Sequence, residues 1–170
     1  MRSINEVRPK SGWLVAVAIL MMADTAMGQD WSRQFVSAAR FKLLEDFDYE
    51  AALDRETRLV WEIQPLGSTT GWQGARNHCL GKEVGGRLGW RLPTIEELAS
   101  LVDPDELAPA LPAGHPFLGV LDGLYWSATN FSGNPFFARV VNFELGGTSS
   151  WSKVDTAWVR CVRGGSAYDG

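Results

Sequence analysis

A chain of 170 residues and 18.7 kDa, 45% hydrophobic and 21% charged, has the length of one domain and the composition of neither a disordered nor a fibrous protein. Sixteen basic against twenty acidic side chains leave a net charge of -4, which offers no electrostatic footprint for nucleic acid. Eighteen glycines, eight prolines and eight tryptophans describe a turn-rich, aromatic-rich fold and argue against a helical bundle.

The N-terminus has the pattern of an export signal. Arg2, Arg8 and Lys10 precede an unbroken apolar run from Trp13 to Met22. Ten residues rise only about 15 Å as a helix, about half a bilayer core, so the run is too short for a stable span. Small residues follow, with Ala26 and Gly28 at the third-last and last positions before a predicted cut after Gly28. The alternative is an uncleaved N-terminal helix. No cysteine follows the run to accept a lipid, and no second apolar stretch appears downstream. The expected product is exported, periplasmic or secreted, with no membrane span. Removing residues 1–28 takes three basic and two acidic side chains with it, leaving 13 against 18 and a net charge of -5. Two cysteines remain, Cys79 and Cys161. An even pair in an exported domain is most simply one disulfide, the alternative being two buried thiols. Closing a loop of about 80 residues would stabilise the fold by about 4–5 kcal/mol in the chain-entropy treatment.

Residues 29–47 form a lead-in with Trp31, Phe35, Phe41 and Phe47 among polar spacers, weakly periodic and left without an element. Asp54 to Arg58 is a polar turn, after which Leu59, Trp61 and Ile63 alternate with Val60, Glu62 and Gln64, as in a half-buried strand leaving a hairpin. Pro65 to Gly71 is a loop. Trp72, Ala75 and Cys79 then fall on one face of a helix that aims Cys79 at the core. Thr94 caps a second helix, predicted over about 94–102, with Glu97 three residues on to return the bond and Ile95, Leu98, Leu101 and Val102 as its apolar face. Asp103 to Gly123 reads as a long surface loop, of the kind that often carries function. Tyr125 to Thr129, Phe137 to Phe143 and Thr156 to Arg163 are strand-like and are separated by turn-forming segments, so they are expected to form an antiparallel meander. Strand, helix, helix, loop and meander make an α+β fold: two helices packed on an antiparallel sheet, with long loops and one disulfide.

Trp72-x-x-Ala75-x-x-x-Cys79, Gly-Gly-Arg-Leu at 85–88 and Cys161 preceded by Trp158 resemble the first helix and closing strand of C-type lectin-like domains. A narrower set resembles the bacterial Lcl C-terminal domain family, a domain of otherwise unknown function. It comprises Asp54 through Trp61, Trp90-Arg91-Leu92-Pro93-Thr94-x-x-Glu97-Leu98, Tyr125-Trp126-Ser127 and Val159-Arg160-Cys161-Val162-Arg163-Gly164. The resemblance covers about residues 48–165, leaving 166–170 as a tail. This chain has Arg58 where the family usually has glycine, and Gly89 where it often has aspartate. The resemblance implies a C-type lectin-like fold and an extracytoplasmic recognition domain, with adhesion or glycan binding as its activity. The calcium-binding Glu-Pro-Asn and Trp-Asn-Asp strings of sugar-binding C-type lectins are absent from the sequence.

Candidate chemistry is sparse. Asp103, Asp105, Glu106 and Asp122 offer oxygens for a calcium ion, against the plainer reading of a solvated acidic turn. His78 and His115 are too few for structural zinc once Cys79 is bridged. Trp90, Trp126 and Trp158 are expected to fill the core, and Trp61, Trp72, Leu92, Pro93, Thr94 and Glu97 are structural residues of the family-like strings. Arg91, Arg160 and Arg163 either pair with carboxylates at the core edge or present guanidinium groups to a ligand. Phe131, Phe136, Phe137 and Trp151 lie among Gly, Ser, Asn and Pro in predicted loops, where exposed aromatics stack on sugars or anchor a protein contact. The lectin-like fold also occurs in formylglycine-generating enzymes, but the two cysteines they would need are assigned here to a bridge. No Gly-x-Ser-x-Gly, His-Glu-x-x-His or phosphate-binding glycine loop is present. The expectation is therefore non-catalytic recognition, without a cofactor, of a glycan or envelope polymer or else of a protein partner, through residues 103–122 and 130–151.

Overall fold

A computed structural model describes residues 40–164. The predicted signal segment, residues 29–39 of the lead-in and the C-terminal tail lie outside the described residues. In chain order come β1 (Phe41–Leu43), a 3₁₀ turn (Glu45–Phe47), β2 (Ala51–Asp54), β3 (Val60–Glu62), α1 (Trp72–Leu80), α2 (Ile95–Ala99), β4 (Leu124–Asn130), β5 (Phe137–Asn142), β6 (Thr148–Ser152) and β7 (Val162–Arg163). Among the described residues the fold is α+β, with two helices and one disulfide. Among the described residues no helix is long and apolar enough to cross a membrane.

The expected single sheet is two. One has the order β1-β2-β3-β7 and the other β4-β5-β6, and every pairing within them is antiparallel. The third strand of the meander is Thr148–Ser152, not the expected Thr156–Arg163. Thr-Ser-Ser-Trp-Ser is mostly polar because it is an edge strand with little burial on either face. Thr156–Arg163 instead threads between partners that change every residue or two. Ala157 pairs with Thr70, Trp158 with Tyr125, Val162 with Arg91 and Trp61, and Arg163 with Val60. A segment sandwiched this way is buried on both sides, which explains why Val159, Arg160, Cys161 and Val162 are all buried instead of alternating. The lead-in also contributes, since β1 is the outer strand of the first sheet and Arg40 is buried against Asp54.

The β2–β3 hairpin turns on Asp54. Its backbone N–H donates to the Leu59 carbonyl and its carbonyl accepts from Arg58 N, while its carboxylate accepts from Glu56 N and Thr57 Oγ1 and from Arg40 Nε and Nη2. Arg58 closes this turn at φ 63°, in the left-handed region where glycine is the unstrained residue.

Helix α1 buries Trp72, Ala75 and Cys79, and Cys79 is bonded to Cys161 with a Cα–Cα distance of 5.4 Å. Helix α2 carries a complete capping box, in which Thr94 Oγ1 accepts from Glu97 N and Glu97 Oε2 accepts from Thr94 N. The helix stops at Ala99, short of the predicted Val102. Leu101 and Val102 bond to carbonyls three residues back, a tightening ahead of Pro104. Two apolar clusters form the core, and each draws on both sheets. One centres on Trp72, Trp90, Trp126, Val140 and the disulfide, the other on Trp61, Leu98, Leu101, Tyr125 and Phe143. Trp158 lies at the edge of the second, half-buried. Residues 103–123 contain no helix or strand, yet Ala110, Leu111 and Phe117 anchor them in the core.

Candidate functional site

The four aromatics predicted to lie in loops are not gathered on one surface. In the β5–β6 pairing Phe137 stands opposite Ser152 and Ala138 opposite Trp151. Successive side chains of a strand alternate between faces, so Phe137 and Trp151 project from opposite sides of the sheet. Trp151 shares its face with the fully buried Ala138 and is 38% exposed, at the rim of the core; it lies in a strand and not in a loop. Phe137 also begins a strand, half-buried. Phe131 packs over its own turn, so closely that a side chain at Gly133 would meet its ring at 2.8 Å. Phe136 alone of the four is widely exposed, at 75%.

The acidic loop is not gathered either. Asp103 Oδ1 accepts from Asp105 N in a local turn, Glu106 is half-buried, and Asp105 and Asp122 face solvent. Among the described residues, the group of potential ligands whose atoms converge within 4.8 Å is instead Glu62, His78 and Cys161, and the Cys161 sulfur is held in the disulfide.

The three arginines are engaged within the fold. Arg91 makes a two-point pair with Glu97 and donates to the Gly164 carbonyl. Arg163 lies over the Phe47 ring. Arg160 is fully buried, donates from Nη1 to the Glu62 carbonyl and stacks 4.7 Å from the Phe117 ring centre. Among the described residues it makes no ion pair and it faces no solvent, contrary to both roles expected of it; the Nη1 bond to the β3 backbone and the aromatic face hold it, while Nε and Nη2 are buried with no hydrogen-bond partner. Burial pushes its pKa down, while the Glu62 and Tyr125 charges push it up less.

The structure reveals an open cleft of about 450 Å³ that the sequence reading missed. Ile63, Val84 and Leu118 supply its apolar lining, and Tyr49, Glu50, Gln64, Lys82 and Glu83 its polar one. These residues come from four separate segments, and hydrogen bonds tie the segments together. Ile63 N donates to the Glu50 carbonyl, Leu118 N to the Ile63 carbonyl, Lys82 Nζ to the Gln64 carbonyl and Gly85 N to Glu50 Oε2. Gly85 is required where it stands, since its φ is +53° and a Cβ there would lie 2.4 Å from the Phe47 Cα. Behind the cleft, Lys82 also forms an ion pair with Oε2 of the fully buried Glu62, whose Oε1 accepts from Cys161 N at 2.6 Å. The cleft wall is thus fastened through one carboxylate to the disulfide. Asp48 and Tyr49 both hold left-handed backbones, at φ 52° and 61°; Asp48 is the C-cap of the 3₁₀ turn, a place aspartate tolerates, whereas Tyr49 bears a strain of about 1–2 kcal/mol. That turn puts Tyr49, 56% exposed, on the cleft.

Fold and site together define a disulfide-tied α+β domain with an open cleft on its surface. The chain belongs to the Lcl C-terminal domain family, whose pattern matches residues 50–163. The matched span begins inside the first sheet, after β1, and ends with β7. No curated protein matches the sequence.

The family strings fall mostly on framework and not on the cleft. Trp61, Trp72, Trp90, Leu92, Pro93 and Trp126 are buried, and Thr94 and Glu97 form the cap. The cleft residues lie in irregular segments with no regular spacing, so only the left-handed Asp48–Tyr49 pair could have hinted at them; aspartate tolerates that conformation, but nothing in tyrosine advertises it.

Proposed function

We propose that this protein is an exported, non-catalytic recognition module of C-type lectin-like fold, which binds a glycan or other envelope polymer in the cleft around Tyr49. The observation that carries the reading is the cleft itself. It combines an exposed aromatic ring with amide and carboxylate groups above an apolar floor, the mixture that sugar rings and hydroxyls require. The backbone bonds between its walls favour a site formed before ligand arrives, which lowers the ordering cost of binding. Backbone strain at Tyr49 is the kind retained where a side chain must be held in a set position. Export is supported by the N-terminal pattern and by the disulfide, a bond that persists in oxidising compartments.

The test is a glycan array probed with the purified protein, with calcium and again with chelator. Saturable binding to one sugar class, lost in Tyr49→Ala with an unchanged circular dichroism spectrum, is expected. Binding lost in chelator would move the site to a metal, and silence under both conditions would overturn the glycan reading. A second reading is recognition of a protein partner, favoured by Phe136, whose ring is 75% exposed beside Lys153, bonded to its carbonyl. It predicts a co-purifying partner released by Phe136→Ala and unaffected by Tyr49→Ala.

A further inference from the structure

The charges around the cleft discriminate among glycans. Glu50, Lys82 and Glu83 are the charged side chains that line it. Lys82 is already committed, ion-paired to the fully buried Glu62 and hydrogen-bonded to the Gln64 carbonyl. Removing it from Glu62 would strand a carboxylate without access to water, so the pair acts as a neutral unit. What the cleft offers a ligand is therefore the charge of Glu50 and Glu83, both exposed.

We infer that the cleft takes glycans bearing protonated amines, as in de-N-acetylated hexosamine polymers, in preference to N-acetylated, uronic or sulfated ones. This rests on the glycan reading of the cleft. A hexosamine ammonium is a compact cation with three N–H donors, and ionised carboxylates are acceptors only. Glu50 spends one acceptor position on Gly85 N and keeps the others for ligand. The Tyr49 ring adds an aromatic face on which a cation is favoured. A sulfate or uronate in the same place would meet two carboxylates of its own sign and a lysine already neutralised, which excludes it by repulsion.

The experiment is calorimetric titration of the full-length chain with three oligosaccharides of equal length: glucosamine, its N-acetylated counterpart and a sulfated form. The glucosamine oligomer is expected to bind about tenfold tighter than the N-acetylated one, the size of effect two partly exposed charge pairs supply. The preference should shrink as salt is raised. Glu50→Gln with Glu83→Gln should abolish the preference, bringing the glucosamine oligomer to the affinity of the N-acetylated one measured on the same variant. Glu83→Gln alone, at an exposed position outside the core, should remove part of it without burdening the fold. Equal binding of the two hexosamine oligomers, tighter binding of the sulfated one, or a preference that survives the double substitution would overturn the inference and leave the glycan reading standing. If none of the three binds, the glycan reading fails and this inference with it.

Discussion

Arg91 and Glu97 face each other in a two-point pair, with Nη1 to Oε2 and Nη2 to Oε1 both at 2.7 Å, and the same Oε2 accepts the Thr94 N–H that starts α2. One carboxylate thereby caps the helix and fixes the strand-like segment before it, and through Arg91 N and O it reaches β7 at Val162. Burial alone would push the Glu97 pKa up. The hydrogen bonds from Arg91 and Thr94, with the Arg91 charge, outweigh that and hold it below the ordinary 4.5.

Glu97→Ala should therefore cost about 1–2 kcal/mol, the sum of a lost cap and a charge-assisted pair that is partly exposed. Glu97→Gln should cost less, because a side-chain oxygen can still accept from Thr94. A carboxyl whose folded pKa is depressed stabilises fully above its unfolded value and loses that stabilisation as pH falls through the folded one. Urea midpoints measured from pH 6 to pH 2 should fall below about pH 4.5 in the parent and fall less in Glu97→Gln. Equal slopes would remove Glu97 from the account.

Arg58 occupies a left-handed position at the end of the first hairpin. Arg58→Gly relieves the steric cost of a Cβ there and gives back part of the gain through the greater freedom of glycine in the unfolded chain. The net expectation is a stabilisation of about 0.5–1 kcal/mol, read as a higher urea midpoint with an unchanged slope. A lower midpoint would mean that the arginine side chain contributes more than its backbone costs.

Much of the framework was legible in the sequence because local chemistry fixed it. The Thr94–Glu97 box, the 72-75-79 face and the polar turn at 54–58 each follow from residues within a few positions of one another. The topology was less legible for a physical reason. Thr156–Arg163 owes its burial to partners from 70, 91 and 125, and nothing within that segment specifies them. Glu62 likewise reads as the outward residue of an alternating strand, yet it is fully buried because Lys82 and Cys161 N, far along the chain, satisfy it. The cleft is assembled from such long-range agreements, so the sequence disclosed its frame and concealed its location.

The Glu62–Lys82 pair gives an asymmetric prediction. Lys82→Ala leaves a carboxylate at zero exposure without its counter-charge and should cost about 2–4 kcal/mol. Glu62→Gln removes the buried charge, keeps an acceptor for Cys161 N and leaves an ammonium that can turn to water, so it should cost about half as much or less. Chemical denaturation of both variants decides the order. A costlier Glu62→Gln would mean that Lys82 is the member confined by the fold.

The histidines set a second pH window. His78 and His115 both have pKa values pushed below 6.5, chiefly by burial; the Lys82 charge lowers that of His78 further, opposed by Glu62, and the Arg160 charge lowers that of His115 further. The geometry agrees with the direction. His78 Nε2 is buried without a hydrogen-bond partner, and His115 Nδ1 accepts from Phe117 N while its ring stacks on the phenylalanine that Arg160 covers. Protonating His115 would cost it the Nδ1 lone pair that accepts this bond. Because both groups bind protons more weakly folded than unfolded, acid favours the unfolded chain: stability should be full above about pH 6.5 and decline as pH falls toward their folded values. This decline begins above the one assigned to Glu97, so the parent should lose stability in two stages. His115→Gln and His78→Gln together should flatten the first stage and leave the second in place. Thermal midpoints recorded between pH 8 and pH 3 distinguish the cases, and a first stage that persists in the double variant would place its origin in another group.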